Sequence, residues 1–326
     1  MRQEEFVKSW FDNKEANHVV TRHVCGKNMS ADDDSIYSYG RHFPLVIKCK
    51  NGFVLNGNKY SSSTSAHQSL VIMACERRKS NFAVVPYSVL DLARIQPESI
   101  EIISKEEEHY RKIKYKNAEG NIEEREEHLL GGSLLRVRDR SYLSGTDSSA
   151  HLGRGYFLTE LRTNPETVQE AIEALKPEIV RQYESAYTED ERDLDGLLRQ
   201  GEWFFIKVNS EAFIEALKKT TNKKIKDIEI RTPFLPRVND SIPHHQVTRM
   251  IYLGNDIMSD VELHLDSTFV APMLMFRSGF YCKGCVRHNE GDHRLLRLGD
   301  KKTWYHAVPN TQVASYTFGL GRGRVD

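Results

Sequence analysis

The chain carries 13 histidines, and they gather with other reactive side chains toward its two ends. Near the N-terminus they fall in three strings: NHVVTRH at 17–23, YSYGRHFP at 37–44 and YSSSTSAHQ at 60–68. Imidazole changes charge near neutral pH, so His18, His23, His42 and His67, with Arg41, are candidates for handling a proton or an anion. If 18–23 is extended, His18 and His23 face opposite ways and cannot share one ligand without a bulge. A plainer reading competes. Serine and threonine hydroxyls cap helices and bond to nearby backbone, which would make the strings turn chemistry around satisfied histidines.

The C-terminal constellation is sharper: PHHQVT at 243–248, YCKGCVRHNEGDH at 281–293 and WYH at 304–306. Cys282 and Cys285 have C-x2-C spacing, and His288 and His293 have H-x4-H spacing, as in a structural zinc site. The two pairs are separated by far less than the dozen or so residues of a usual finger, and cysteines three apart face opposite ways on a strand. A finger is therefore disfavoured. A less strained arrangement takes His244 or His245 from one strand, His288 and His293 from around a turn, and His306 from the next strand. His245, His288 and His293 are then the candidate ligands for zinc or another divalent transition metal. The metal would lower the pKa of a bound water, His306 or Glu290 would handle the proton, and Arg41 and Arg287 would contact an anion. The alternative is plain amphipathic strands with histidines hydrogen-bonding at the surface.

Three stretches of chain must position these groups. In residues 1–100, Phe6, Val7, Trp10 and Phe11 have the spacing of a short amphipathic helix. The run 45–55 reads as a hairpin about Asn51-Gly52, because Asn-Gly accepts positive φ. Short helices are expected at 69–76 and 88–93. Residues 101–198 open with a hairpin of mixed charge, 110–115 and 121–125, about the turn 117–120. A helix follows, with Asn164 as N-cap, Pro165 in the first turn, and Val168, Ala171, Ile172 and Leu175 on one face; Pro177 ends it. Residues 199–326 hold strand signals at 203–206, 246–253, 261–265, 279–286, 295–298 and 313–318, with one helix at 211–219. The expected class is α+β: a mixed N-terminal domain, a charged middle segment and a β-rich C-terminal domain built as a sandwich or cupin-like barrel.

Composition excludes several classes. Lys plus Arg and Asp plus Glu are both 46, so the whole chain is not a strongly basic nucleic-acid binder. No apolar run approaches the roughly 20 residues of a membrane span, and MRQEEFVKSW has no apolar leader core. Five scattered cysteines suit a reducing cytoplasm better than a disulfide scaffold. From 277 to 326 there are nine Lys and Arg against four Asp and Glu, interleaved with Tyr281, Trp304, Tyr305 and Tyr316. That excess suits nucleic acid, although strands use the same aromatics as core. There is no phosphate-loop, dinucleotide, G-x-S-x-G or H-E-x-x-H motif.

The strings YSYGRHFPL at 37–45 and NKYSSSTSAHQ at 58–68 resemble a signature of uncharacterised proteins from phages, plasmids and prokaryotic mobile elements. RQGEWFF at 199–205 and the later histidines, His244/His245, His288 with His293, and Trp304 with His306, resemble a second pattern from similar genomes. Ser63 stands where the first signature usually has threonine, and Cys282 and Cys285 lie outside the second. The resemblance implies a mobile-element setting but no activity. Three functions are carried forward. The first is a cytoplasmic protein that binds or hydrolyses nucleic acid or another phosphate-containing substrate. The second is a structural or adaptor protein with an assembly partner. The third is a cupin-like metal enzyme acting on a small molecule.

Overall fold

The computed structural model describes residues 2–15, 23–25, 28–58, 60–107, 109–116, 121–129, 131–147, 155–186, 196–208, 230–236, 245–253, 279–288, 293–300, 302–312 and 315–318. Helix α1 (Gln3–Glu15) buries Phe6, Val7, Trp10 and Phe11, the face their spacing predicts. Strands β1 (His23–Cys25), β2 (Met29–Ala31), β3 (Ser35–Ser38), β4 (Pro44–Cys49) and β5 (Gly52–Asn56) pair antiparallel in that order. The Asn51-Gly52 turn forms as expected, with Asn51 at φ 62°. Strand β6 (Phe82–Val85) joins β5 in parallel, which requires a crossover, and α2 (Ser62–Arg78) supplies it. This helix starts well before residue 69. Ser61 Oγ accepts the backbone N–H of Thr64 at 3.2 Å and caps it, so the hydroxyl-rich string becomes its first turns. Helix α3 (Tyr87–Ile95) follows.

Strands β7 (Ile100–Glu106), β10 (Gly132–Val137), β11 (Arg140–Asp147) and β12 (Gly155–Glu160) form a second antiparallel sheet. Between its first two strands lies a separate ribbon, β8 (His109–Lys116) with β9 (Ile122–Leu129). Lys112 stands opposite Glu126 in it, and Lys114 opposite Glu124. One core runs from Phe6 to Leu158, so segments on both sides of residue 100 pack together. Adjacent residues on β10 serve different layers. Leu135 belongs to that core, while Leu134 packs with Leu143, Val168, Ala171 and Leu175. The last three come from or flank α4 (Val168–Ala174). Its N-cap is Thr167, in a reciprocal capping box with Glu170, rather than Asn164. Asn164 instead accepts a hydrogen bond from Ser141 Oγ at 2.9 Å. Pro177 ends that segment and caps α5 (Glu178–Ser185).

The third sheet comprises β13 (Leu197–Gln200), β14 (Trp203–Val208), β15 (Ile230–Arg231), β16 (His245–Leu253), β17 (Gly279–His288), β18 (Leu296–Leu298) and β19 (Trp304–Pro309). Its order is β13-β14-β19-β17-β16-β15, with β18 also on β17. Phe204, Ile206, Tyr281 and Trp304 pack under Val180 of α5, while Trp203, Phe205, Cys282 and Tyr305 pack on the other face. Burial on both faces explains why WFFI reads as a continuous apolar run rather than an alternating one. Strand β20 (Ser315–Phe318) leaves this sheet and pairs with β12. The expected strand at 261–265, helix at 211–219 and turn at 117–120 lie outside the described residues. No described helix is long and apolar enough to cross a membrane.

The third sheet is not flat. In hydrogen-bonding order β14 and β16 are three strands apart, about 14 Å in a flat sheet. A Cβ built on Gly201, beside β14, would nevertheless lie 3.3 Å from His245 Nε2 on β16. The sheet therefore curls, and residues of β14, β16, β17, β18 and β19 close on one core inside the curl. Where β16 and β17 slip register, Gly284 takes φ 92° and Thr248 Oγ1 accepts the N–H of Cys285 at 3.0 Å. The strand path from β13 to β15 stays open among the described residues, so of the expected sandwich or cupin-like barrel, the barrel is not confirmed.

Candidate metal centre

Strand β16 begins at His245 and β17 ends at His288, and antiparallel register sets the two directly opposite each other. Cross-strand Cβ atoms at such a pair lie about 5 Å apart, so the rings must meet. Their centroids are 5.0 Å apart and nearly perpendicular. His293 comes back over the pair, 4.7 Å from His288 and 5.7 Å from His245. One nitrogen from each ring lies within 4.8 Å of the others. His245 is held at its backbone as well, its carbonyl accepting the N–H of Leu235 at 2.8 Å.

His245 is 1% exposed, and its Nδ1 and Nε2 are both buried with no hydrogen-bond partner. A buried imidazole normally satisfies both nitrogens, and His245 satisfies neither through a hydrogen bond. Its Nδ1 faces Glu202 Oε1 at 3.5 Å, and Glu202 is 23% exposed. Burial pushes the Glu202 carboxyl up. The facing His245 imidazole, by its contact and its charge, then the Glu202 backbone and the charge on His288, outweigh burial and hold it below the usual carboxylate range. Gly201 sits beside the cluster at φ 56°, where a Cβ would meet His245 Nε2 at 3.3 Å and His293 Nε2 at 3.4 Å. Three convergent imidazoles with a carboxylate behind one of them form a donor set suited to zinc and related ions.

The structure thus brings together His245, His288 and His293, the three ligands expected from the sequence. His306 does not join them. It pairs with Tyr281, seven residues along β17 from His288, and stacks on that ring at 4.8 Å under the α5 side of the sheet. Strand alternation puts His245 and His288 on the other side, with Val247 and Val286. His306 is thus not placed to move a proton at this centre. Cys282 is core, its thiol pushed up by burial, and Cys285 is the residue held by Thr248. His244, Glu290 and Asp292 lie outside the described residues.

His18 lies outside the described residues, and His23 opens β1. Arg41 and His42 are exposed in the β3–β4 turn, Arg41 pairing with Asp32 at 3.6 Å. His67 is 3% exposed on α2, with Nδ1 2.8 Å from Ser38 Oγ and Nε2 3.0 Å from the Gln3 amide nitrogen. Both ring nitrogens are committed within the protein, and burial lowers the pKa. His67 thus ties α1, β3 and α2 together, the plainer reading of that string. Gln68 does similar work, donating to the carbonyls of Asn56 and Asn58 at 2.7 and 2.8 Å.

Gly201 and Glu202 carry no titration or spacing signal that marks them from sequence. Their only trace is the RQGE string, whose glycine precedes an apolar strand. No family model, curated protein or solved structure matches the chain.

Proposed function

We propose that His245, His288 and His293 bind a divalent transition metal, zinc or a close relative, and that the protein uses it to hydrolyse a phosphate-containing substrate, nucleic acid included. The observation that carries this is the convergence of three imidazoles within 4.8 Å around a buried nitrogen with no partner. Three protein ligands leave a position for water, as in catalytic zinc sites, and the ion brings the pKa of that water to about 7. Arg287 and Arg294, each exposed beside a ligand histidine, support an anionic substrate. A reducing cytoplasm fits the free cysteines among the described residues, Cys49, Cys75, Cys282 and Cys285, and the sequence signature supports a phage or mobile-element setting.

Two other readings have an observation behind them. Exposures of 1% for His245 and 8% for His288 favour a structural ion that clips β16 to β17, as a non-enzymatic adaptor would use it. The curl of the third sheet favours a cupin-like enzyme on a small molecule. Elemental analysis of purified, untagged protein beside a His288→Ala/His293→Ala variant tests the shared premise. Near-stoichiometric metal that disappears in the variant is expected, and equal metal in both would sink the assignment. Metal-dependent cleavage of bis(p-nitrophenyl) phosphate, lost in the variant, then supports hydrolysis. A bound ion that changes stability and yields no cleavage of phosphodiesters or oligonucleotides points to the clip.

A further inference from the structure

The turn joining β13 to β14 presents three consecutive residues to the histidine cluster, each through a different contact. Gln200, 3% exposed, donates its amide nitrogen to the carbonyl of Arg294 at 2.6 Å, next to His293. Its Oε1 is buried with no hydrogen-bond partner. Gly201 stands in the left-handed region at φ 56°, with a built Cβ 3.3 and 3.4 Å from the Nε2 atoms of His245 and His293. Glu202 sets its carboxylate 3.5 Å from His245 Nδ1. The turn is itself anchored, because Arg199 Nε donates to the Gly201 carbonyl at 3.1 Å and Asn310 N–H to the Glu202 carbonyl at 2.7 Å. Neither β13 nor β14 is a hydrogen-bonded neighbour of β16 or β17, so these contacts arise only from the curl of the sheet.

We infer that this turn, Gln200-Gly201-Glu202, is the positioning element of the metal centre, an assignment that rests on the metal reading above. Glu202 accepts the Nδ1–H of His245, which fixes the tautomer, aims Nε2 at the ion and raises its basicity. Gln200 locks the backbone beside His293, so the third ligand is held though it lies outside the β16–β17 pair. Gly201 keeps side-chain atoms away from where an ion would sit, since zinc–imidazole bonds of about 2.0–2.1 Å leave little room for them. Gly201 and Glu202 meet ligand histidines and Gln200 the backbone next to one, so the three act through the ligands and set affinity and geometry rather than chemistry.

Metal-free full-length protein titrated with Co2+, followed by its visible absorption, and with Zn2+ against a chromophoric chelator tests this. Glu202→Gln is expected to weaken Zn2+ about 10- to 100-fold and to alter the Co2+ spectrum. Its metal-free melting temperature should match wild type, which a merely structural role would not predict. Gln200→Ala is expected to weaken binding several-fold, and Gly201→Ala at least as much. Should Gly201→Ala fail to fold because of its backbone conformation, the other two variants carry the test. Wild type that binds Zn2+ while Glu202→Gln and Gln200→Ala bind within twofold of it overturns the positioning role and leaves the metal centre standing. Wild type that binds neither ion, or binds as well after His288→Ala/His293→Ala, overturns both.

Discussion

Two histidines of nearly equal burial, His67 at 3% and His245 at 1%, use their ring nitrogens in opposite ways. His67 spends both on Gln3 and Ser38, whereas His245 makes a hydrogen bond through neither and turns Nδ1 toward Glu202 at 3.5 Å. Burial holds the His67 imidazole below its ordinary value, near 6.5, so the unfolded chain binds the proton first as pH falls. The stability it contributes is present above about pH 6.5 and is lost as pH drops below that toward the folded-state value. Urea unfolding at pH 7.5 and 5.5 should show lower stability at 5.5, and His67→Gln should flatten that difference. An unchanged pH dependence in the variant would remove His67 as its source. Burial also pushes the Cys49 and Cys75 thiols up to about 12, so neither forms much thiolate near neutral pH. Alkylation of native protein at pH 8, located by mass spectrometry, should reach half-exposed Cys285 before Cys49, Cys75 or Cys282.

Among the elements, α4 shows how little sequence separates a right helix from a right boundary. Its apolar face is set by Val168, Ala171 and Leu175, but the cap belongs to the residue whose hydroxyl reaches the Glu170 N–H, and that is Thr167. Thr167→Ala should cost about 0.5–2 kcal/mol in chemical denaturation; Asn164→Ala should leave the cap intact while losing the Ser141 contact. The β8–β9 ribbon depends on charge. Lys112 and Lys114 face Glu126 and Glu124, each pair worth roughly 0.2–1 kcal/mol, and all four are exposed. Lys112→Glu/Lys114→Glu places like charges opposite each other. Hydrogen exchange of the ribbon amides should then quicken at low salt and recover partly at high salt, while the core of the first two sheets stays protected. Equal exchange in both proteins would mean the facing charges do not hold the ribbon.

At the scale of the whole molecule, the metal reading links binding to folding. The three ligands come from β16, β17 and the segment leading into β18, and the turn beside them from β13 and β14. A ligand that binds only the folded state stabilises it by about 2.7 kcal/mol at 100 times its Kd. Zinc should accordingly raise the melting temperature of wild type and leave the His288→Ala/His293→Ala variant unmoved, with a chelator reversing the shift. A shift of equal size in both would place the ion elsewhere.

Local chemistry by itself determined much of this protein. The Asn51-Gly52 hairpin, the amphipathic faces of α1 and α4, the charged ribbon and most described strands of the third sheet follow from turn propensity and from periods of 2 and 3.6, which neighbouring residues encode. His245, His288 and His293 were legible as a set because their types and spacing suit a metal. Only the tertiary structure decided which histidines meet. Register pairs His245 with His288 and sends His306 to the opposite face, and register is a relation between strands that no single segment carries. The curl of the third sheet, likewise nonlocal, brings Gly201 and Glu202 against ligands three strands away in hydrogen-bonding order. His67 stands in a string that looks reactive, and packing of α1 and β3 against α2 makes it a buried tie.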